Sequence, residues 1–358
     1  MLLVIFGAGA SYDSDPSRPA SQPKPSLYAQ RMPIPRSVPR ADRPPLAREL
    51  FGYRFRRLLD RYSPARVLAD RLRPAENPGG PSIEAEFEQL QQEAIGRATV
   101  RRQLVAARYF LREAVERSCS EWMSDINGVT NYLRLVDVLE QLTGNEVCYV
   151  TFNWDTMLDR ACLDSQGWDL NKLANYIVSD TTAIVKLHGS TNWVRPVTGV
   201  SCPWSGGHGD HAAEWIMTNW SDDWSPADSY DLGDCLSFVQ GQPVPFPAIA
   251  IPTRNKSEGD FQVPSDHLVA LKSMLPSVDR VLVIGWRGQE HHFWELWKTN
   301  RGKSNPNVLV VDENMSAAEE VARSIRALGA LDHVTAAQSY GFTGLLKDSD
   351  TLGQFLVK

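Results

Sequence analysis

Two hydrophobic periodicities alternate along the chain. Short apolar runs bounded by turn residues occur at 2–6 and repeatedly after residue 145, whereas residues 44–143 carry apolar side chains at helical spacing. Short continuous runs are typical of buried strands, and the i, i+3, i+4 spacing is typical of amphipathic helices. The pattern predicts a first strand, then a helical block, then a return to strands.

The later apolar runs alternate with helical patterns. Strands are predicted at 146–152, 182–189, 247–252, 279–286 and 305–314, and helices at 155–164, 266–275, 291–300 and 316–328. Such alternation indicates a parallel sheet covered on both faces. We therefore predict a single α/β domain over 1–358, with a Rossmann-like, mostly parallel sheet, helices on both faces and a helical insertion at 44–143.

Two segments lack these periodicities. Residues 14–45 contain nine prolines, which predicts a long non-helical loop. Residues 190–245 are rich in Trp, Asp, Ser and Gly and predict irregular loops or short antiparallel strands. Within the helical block, Ser82 can cap one helix and Gly144 can end another.

Composition narrows the class of protein. The net charge of -6 argues against a nucleic-acid-binding footprint, which is usually basic. No apolar run reaches the length of a membrane span, and the apolar start is too short for a signal peptide, so we expect a cytoplasmic protein. The five cysteines include no C-x-x-C pair, which disfavours both a disulfide framework and a four-cysteine zinc site.

A glycine turn, Gly7-Ala8-Gly9-Ala10-Ser11, follows the first strand directly. Glycines at this place let a phosphate approach the backbone, although strand-end turns use glycine for purely structural reasons too. The dehydrogenase fingerprint G-x-G-x-x-G is absent because position 12 is tyrosine. No second strand ending in an acidic residue follows about 20 positions later, which argues against a hydride-transferring enzyme.

Polar residues mark the ends of later strands. Thr151, Asn153 and Asp155 follow one strand and His188 follows the next. Local helix capping by Asp155, or an ordinary histidine satisfied by its neighbours, remains an alternative interpretation. Because ligands bind at the carboxyl edge of open α/β sheets, we expect these groups to meet the glycine turn in one crevice.

Two more strands end at the same predicted edge. One ends at Gly285 in "VIGW" and the other at Asp312 in "VVDEN". Five predicted strands thus end in glycines or polar residues. Local capping can explain such residues at one strand end, but it explains their convergence at one edge less well.

Taken together, these motifs resemble the SIR2 family. "GAGAS" at 7–11, "TFNWD" at 151–155 and "HG" at 188–189 match its motifs in order, with Phe152 replacing the usual glutamine. The zinc-binding cysteine pairs of sirtuin deacylases are missing. With "RPPLARELF" at 43–51 and "GWRGQEHHF" at 285–293, the chain looks more like the bacterial SIR2-like effectors of anti-phage defence.

This resemblance implies an NAD glycohydrolase that depletes NAD during infection, with NAD as substrate and no metal. Asn153 would orient a ribose hydroxyl or the attacking water, Asp155 would recognise the nicotinamide carboxamide or favour the developing cation, and His188 would act as base. The residues implied to hold NAD are Gly7, Ala8, Gly9, Ser11, Thr151, Gly285 and Asp312. In this interpretation the loop at 14–45 closes over the substrate.

The resemblance also implies regulation. We expect a homo-oligomer and a separate sensor or ATPase partner that contacts the helical insertion, with nucleic acid met only through that partner and no direct membrane association. Two alternatives remain open at this stage. One is a protein deacylase or ADP-ribosyltransferase, and the other is a scaffold that binds NAD or ADP-ribose without turnover.

Overall fold

The computed structural model describes residues 1–20, 43–72, 82–144, 146–203, 209–253, 261–329 and 331–357. Most of the proline-rich loop predicted at 14–45, and with it the expected closure over the substrate, lies outside the described residues. Among those described, no helix is both long and apolar enough to cross a membrane.

The strands are β1 (Leu2–Phe6), β2 (Val147–Thr151), β3 (Ala183–Lys186), β4 (Gly189–Ser201), β5 (Ser225–Pro226), β6 (Asp231–Leu232), β7 (Pro243–Ile249), β8 (Arg280–Ile284), β9 (Asn307–Val311) and β10 (Val334–Ala336). The helices are α1 (Ala8–Tyr12), α2 (Arg56–Arg61), α3 (Ser63–Leu72), α4 (Ile83–Ala94), α5 (Ala98–Asp125), α6 (Asn131–Thr143), α7 (Met157–Gln166), α8 (Gly209–Asn219), α9 (Ser265–Met274), α10 (His291–Asn300), α11 (Met315–Ala327), α12 (Gly341–Lys347) and α13 (Ser349–Val357).

Six strands form one parallel sheet in the order β10-β9-β8-β1-β2-β3. Numbered along this sheet alone, the order reads 3-2-1-4-5-6, which is the Rossmann arrangement. The predicted fold class is therefore confirmed. Ligands in such sheets bind where the strand order reverses, and here that point lies between β1 and β8.

Both faces of the parallel sheet are covered. Leu2, Val4 and Phe6 of β1 enter one apolar cluster, and the alternate residues Leu3 and Ile5 enter the other. The first cluster contains α2–α7, α12 and α13, and the second contains α9–α11. Strands buried on two faces explain the continuous apolar runs in the sequence.

From Ala47 to Thr143 the described chain is mostly helical, with α2–α6 following two short turns of 3-10 helix. Ser82 caps α4 by accepting from the Ala85 N–H, and Gly144 ends α6 in the left-handed conformation with φ 61°. The periodicity predicted one helix behind Ser82. The structure breaks it into α4 and α5 around Gly96, whose φ is 74°.

A second, antiparallel sheet occupies much of 190–245. β4 pairs with β5, β6 and β7, so the strand predicted at 247–252 belongs to this sheet as part of β7. The helical insertion packs on it: Tyr109 Oη donates to the Pro245 carbonyl at 2.7 Å, and Arg112 Nε donates to the Thr191 carbonyl at 2.8 Å.

At the reversal of strand order, two turns approach each other closely. The Gly9 N–H donates to the Gly285 carbonyl at 3.0 Å. Gly285 has φ 59°, and a Cβ built on it would lie 2.3 Å from the Ala10 nitrogen. A Cβ on Gly7 would lie 2.6 Å from the Gly285 oxygen. Side chains at these positions are incompatible with the contact.

We expect Gly285→Ala to destabilise the fold by about 3 kcal/mol or more, because a left-handed backbone and an overlap with backbone atoms add together. The matched control is Gly329→Ala. Gly329 also has positive φ, 64°, but nothing lies within 4 Å of its built Cβ, so only about 1 kcal/mol is expected. Urea unfolding of both variants measures the difference, and equal losses would contradict the close approach of the two turns.

Candidate functional site

The carboxyl edge of β1 carries the glycine turn. The Gly9 N–H is already engaged with Gly285, whereas Ala8 is exposed and its N–H meets no acceptor among the described residues. The Ser11 side chain points inward, where its hydroxyl donates to Asp155 Oδ2 at 2.6 Å. One backbone amide of the turn is thus open to a ligand, and the serine is part of a buried network.

Asn153 lies at the centre of that network and is 8% exposed. Its Nδ2 donates to the Gly7 carbonyl at 2.8 Å, to Ser11 Oγ at 2.9 Å and to Tyr132 Oη at 3.1 Å. Thr151 fixes the turn that follows β2, because its Oγ1 accepts from the Asn153 N–H at 3.0 Å. With the amide nitrogen engaged in this way, Oδ1 is the side-chain atom that can act on a ligand.

Asp155 is buried, and both of its carboxylate oxygens are engaged. Besides the bond from Ser11, Oδ1 accepts from the Met157 N–H at 3.0 Å at the start of α7. Burial raises the pKa of Asp155 above its usual value, and the Ser11 hydrogen bond and the Lys186 charge counteract that rise. The N-cap of α7 is Thr156, so Asp155 engages the first N–H of the helix from one position further out, alongside its link to Ser11.

Beneath Asp155 lies a buried ion pair that the sequence analysis did not identify. Lys186, with no exposed side-chain surface, donates to Asp159 Oδ2 at 2.8 Å and to the Asp155 carbonyl at 2.6 Å. Tyr176 Oη donates to the other Asp159 oxygen at 2.6 Å. This group ties the end of β3 to the start of α7 and so fixes the backbone at Asp155.

His188 follows β3 and borders an aromatic wall. Its ring lies 5.0 Å, edge to face, from the ring of Phe152 and stacks parallel to the ring of His292 at 6.1 Å. Phe152 in turn stacks on Trp286 at 4.6 Å with an interplanar angle of 10°. His188 itself is buried among these aromatic rings, with 8% of its surface exposed.

Gly285 and Asp312 end β8 and β9. Gly285 packs on the glycine turn, as described above. Asp312 is half-buried, burial raises its pKa, and its Oδ1 accepts from the Glu313 N–H at 2.7 Å. Hydrogen bonds connect Gly7, Ser11, Asn153 and Asp155 directly, whereas Asp312 lies on the same sheet edge outside this network.

Sequence reasoning missed the residues that support the site from other elements. Tyr132 comes from α6 of the insertion, and Trp286 and His292 come from the region after β8. No local pattern marks Tyr132, since its hydroxyl reaches Asn153 only through the fold. Phe152 was visible as the departure from the family motif, and its stacking on Trp286 shows what it does here.

Among the described residues, no group of three His, Cys, Asp or Glu side chains is placed to hold a metal ion. All five cysteines are buried, and none of them forms a disulfide bond.

Comparison with known proteins yields only solved structures, because no family model and no curated protein matches the chain. Sir2Tm bound to a propionylated peptide is similar at 13% identity and a TM-score of 0.33, over 92% of this chain and 94% of that chain. Sir2 with an inhibitor, 2'-O-acetyl-ADP-ribose and a deacetylated p53 peptide has the same identity and coverage and a TM-score of 0.34. These TM-scores are low, so the fold assignment rests on the strand order of this chain.

We expect Lys186→Met to destabilise the protein by about 3–5 kcal/mol, because Asp159 would remain buried without its counter-charge. The same substitution at Lys298, which pairs with Glu295 at the surface, should cost less than about 1 kcal/mol. Chemical unfolding of both variants tests this. A small loss at Lys186 would mean that the buried pair does not anchor the site.

Proposed function

We propose that this chain is an NAD glycohydrolase that cleaves NAD to nicotinamide and ADP-ribose. The observation that carries the proposal is the fixed carboxamide of Asn153. Three acceptors engage its nitrogen beside the glycine turn, so its oxygen is the group available at the carboxyl edge of the sheet. The motif resemblance to the SIR2 family supports the same substrate.

The glycine turn suits the pyrophosphate of NAD. It lies at the reversal of strand order, where dinucleotides bind in Rossmann sheets. Gly7 and Gly9 keep the turn thin, and the exposed amide of Ala8 supplies a donor for an anionic oxygen. In this proposal Gly285 allows close approach on the adenosine side, and Asp312 at the end of β9 binds the adenosine ribose.

The bond to be cleaved needs little acid–base chemistry. Nicotinamide leaves a cationic ring as a neutral molecule, unlike the leaving groups that the paired carboxylates of ordinary glycosidases protonate. The protein must stabilise an oxocarbenium-like ribose and place a water. Asn153 Oδ1 directs a partial negative charge toward that centre, and His188 takes the proton from a ribose hydroxyl or the water. Asp155 contributes negative charge through Ser11.

We further propose that the activity serves bacterial anti-phage defence and is gated, since constant NAD hydrolysis would harm the host cell. Gating would come from homo-oligomerisation or from a separate sensor or ATPase partner, with nucleic acid sensed only through that partner. Such an effector would act in the cytoplasm. This part of the proposal rests on the motif resemblance alone.

A scaffold that binds NAD or ADP-ribose without turnover is the second candidate. It is favoured by the internal engagement of both Asp155 oxygens and of the Gly9 N–H, which leaves fewer groups free for catalysis. A protein deacylase or ADP-ribosyltransferase is distinguished by its products: acetyl release from a peptide, or a modified protein, would replace free ADP-ribose.

We expect Asn153→Ala and His188→Ala each to lower NAD turnover by about 10²–10⁴-fold, since each removes a positioned catalytic group. The products, nicotinamide and ADP-ribose, are resolved by chromatography, and circular dichroism checks that the fold persists. Matched controls are Asn219→Ala and His333→Ala, which replace exposed residues of the same types. Full activity in either site variant would overturn its role, and NAD binding without turnover, with or without a partner, would favour the scaffold.

A further inference from the structure

We propose that Tyr132, a residue of the helical insertion, positions the Asn153 carboxamide. This inference builds on the proposed function, but its central claim concerns the geometry of the amide. Tyr132 is 1% exposed, and its Oη lies 2.9 Å from Ser11 Oγ and 3.1 Å from Asn153 Nδ2. Its ring is held between Phe6, at 4.9 Å between centroids, and Phe342, at 5.5 Å.

The available protons set the direction of these hydrogen bonds. An ionised carboxylate only accepts, so the single Ser11 proton goes to Asp155. Ser11 Oγ then accepts from Tyr132 Oη. Of the two Asn153 Nδ2 protons, one goes to the Gly7 carbonyl and the other is shared between Tyr132 Oη and Ser11 Oγ. Burial raises the pKa of Tyr132 well above its usual value, so the phenol keeps the proton that this arrangement needs.

The orientation of the amide follows from the same reasoning. The Gly7 carbonyl can only accept, so the Asn153 group facing it at 2.8 Å must be the nitrogen. If the amide were flipped, Asn153 Oδ1 would face the Gly7 carbonyl oxygen, and neither atom could donate a proton. Tyr132 accepts on the same side and strengthens this preference, which keeps Oδ1 turned away from the protein. Hydrogen bonds in such a chain polarise one another, so donation from the nitrogen also makes Oδ1 a better acceptor.

Asn131, which precedes Tyr132, contacts the backbone that follows Ser11. The Asn131 N–H donates to the Ser14 carbonyl at 2.7 Å, and its Nδ2 donates to the Asp13 carbonyl at 2.6 Å. Thr130 caps the helix by accepting from the Leu133 N–H at 3.1 Å. The first turn of α6 therefore forms hydrogen bonds with Ser11, Asp13 and Ser14 as well as with Asn153. A shift of the insertion relative to the sheet would therefore act on the Ser11 side chain and the Asn153 amide rather than on the exposed amide of Ala8.

The test is Tyr132→Phe, which removes one oxygen and keeps the ring. Its control is Tyr149→Phe, since the Tyr149 hydroxyl is also buried on β2 and has no hydrogen-bond partner among the described residues. Loss of one polarised hydrogen bond at the catalytic amide should lower kcat about tenfold in Tyr132→Phe. The Kd for NAD should stay within about twofold of wild type, because Gly7 and Gly9 are unchanged. Tyr149→Phe should leave both values at the wild-type level.

A second readout does not depend on turnover. The side-chain amide resonance of Asn153, assigned by its loss in Asn153→Ala, should shift in Tyr132→Phe and not in Tyr149→Phe. An unshifted resonance or an unchanged kcat in Tyr132→Phe overturns the positioning role. If the wild type binds NAD without hydrolysing it and the resonance still shifts, the proposed function fails while the positioning of the amide stands.

Discussion

The contact between the turn after β1 and the turn after β8 is the constraint on which the site depends. Two backbones meet there with no space for a Cβ, as the 2.3 Å approach of a built Cβ on Gly285 to the Ala10 nitrogen shows. This contact fixes the start of α1, and α1 delivers Ser11 to Asn153. Gly7, Gly9 and Gly285 are required because the two turns pack this closely. The lack of side chains that would let a phosphate approach the turn is a consequence of that packing.

The buried polar groups at this edge are tolerated because they form hydrogen bonds with one another. Burial makes the ionised form of Asp155 costly, and its raised pKa expresses this. Since the folded pKa exceeds the unfolded one, the fold favours the protonated carboxyl, and that stabilisation is lost as the pH rises through the folded value. The bond from Ser11, the amide of Met157 and the charge of Lys186 offset the cost at neutral pH. Part of the fold's stability thus goes into holding a buried carboxylate next to Ser11, which also accepts from the Asn153 amide.

Much of this arrangement follows from local sequence, and the rest does not. Continuous apolar runs identified β1, β2, β3, β8 and β9 because both of their faces are buried, whereas the short edge strand β10 was not predicted. Glycines and polar residues marked the strand ends. The long strand β4 was missed because Pro196 and Gly199 interrupt its pattern. Tyr132 could not be found because its hydroxyl meets Ser11, 121 positions away, only once the insertion has docked. Local patterns predict elements and edges, whereas contacts between elements depend on the fold.

In the proposed function, the insertion offers a route for control of turnover that is separate from substrate binding. The groups suited to NAD belong to the sheet edge, whereas the phenol of Tyr132 belongs to α6. Because α6 also holds the backbone at Asp13 and Ser14, a displacement of the insertion acts first on Ser11 and on the amide of Asn153. Since the Ser11 side chain points inward and the Ala8 amide is exposed, a partner that docks on the insertion would, in the proposed function, affect the chemical step more than the phosphate-binding amide. An enzyme regulated this way would hold its substrate in both states and differ mainly in kcat, which separates this mechanism from one that blocks the crevice.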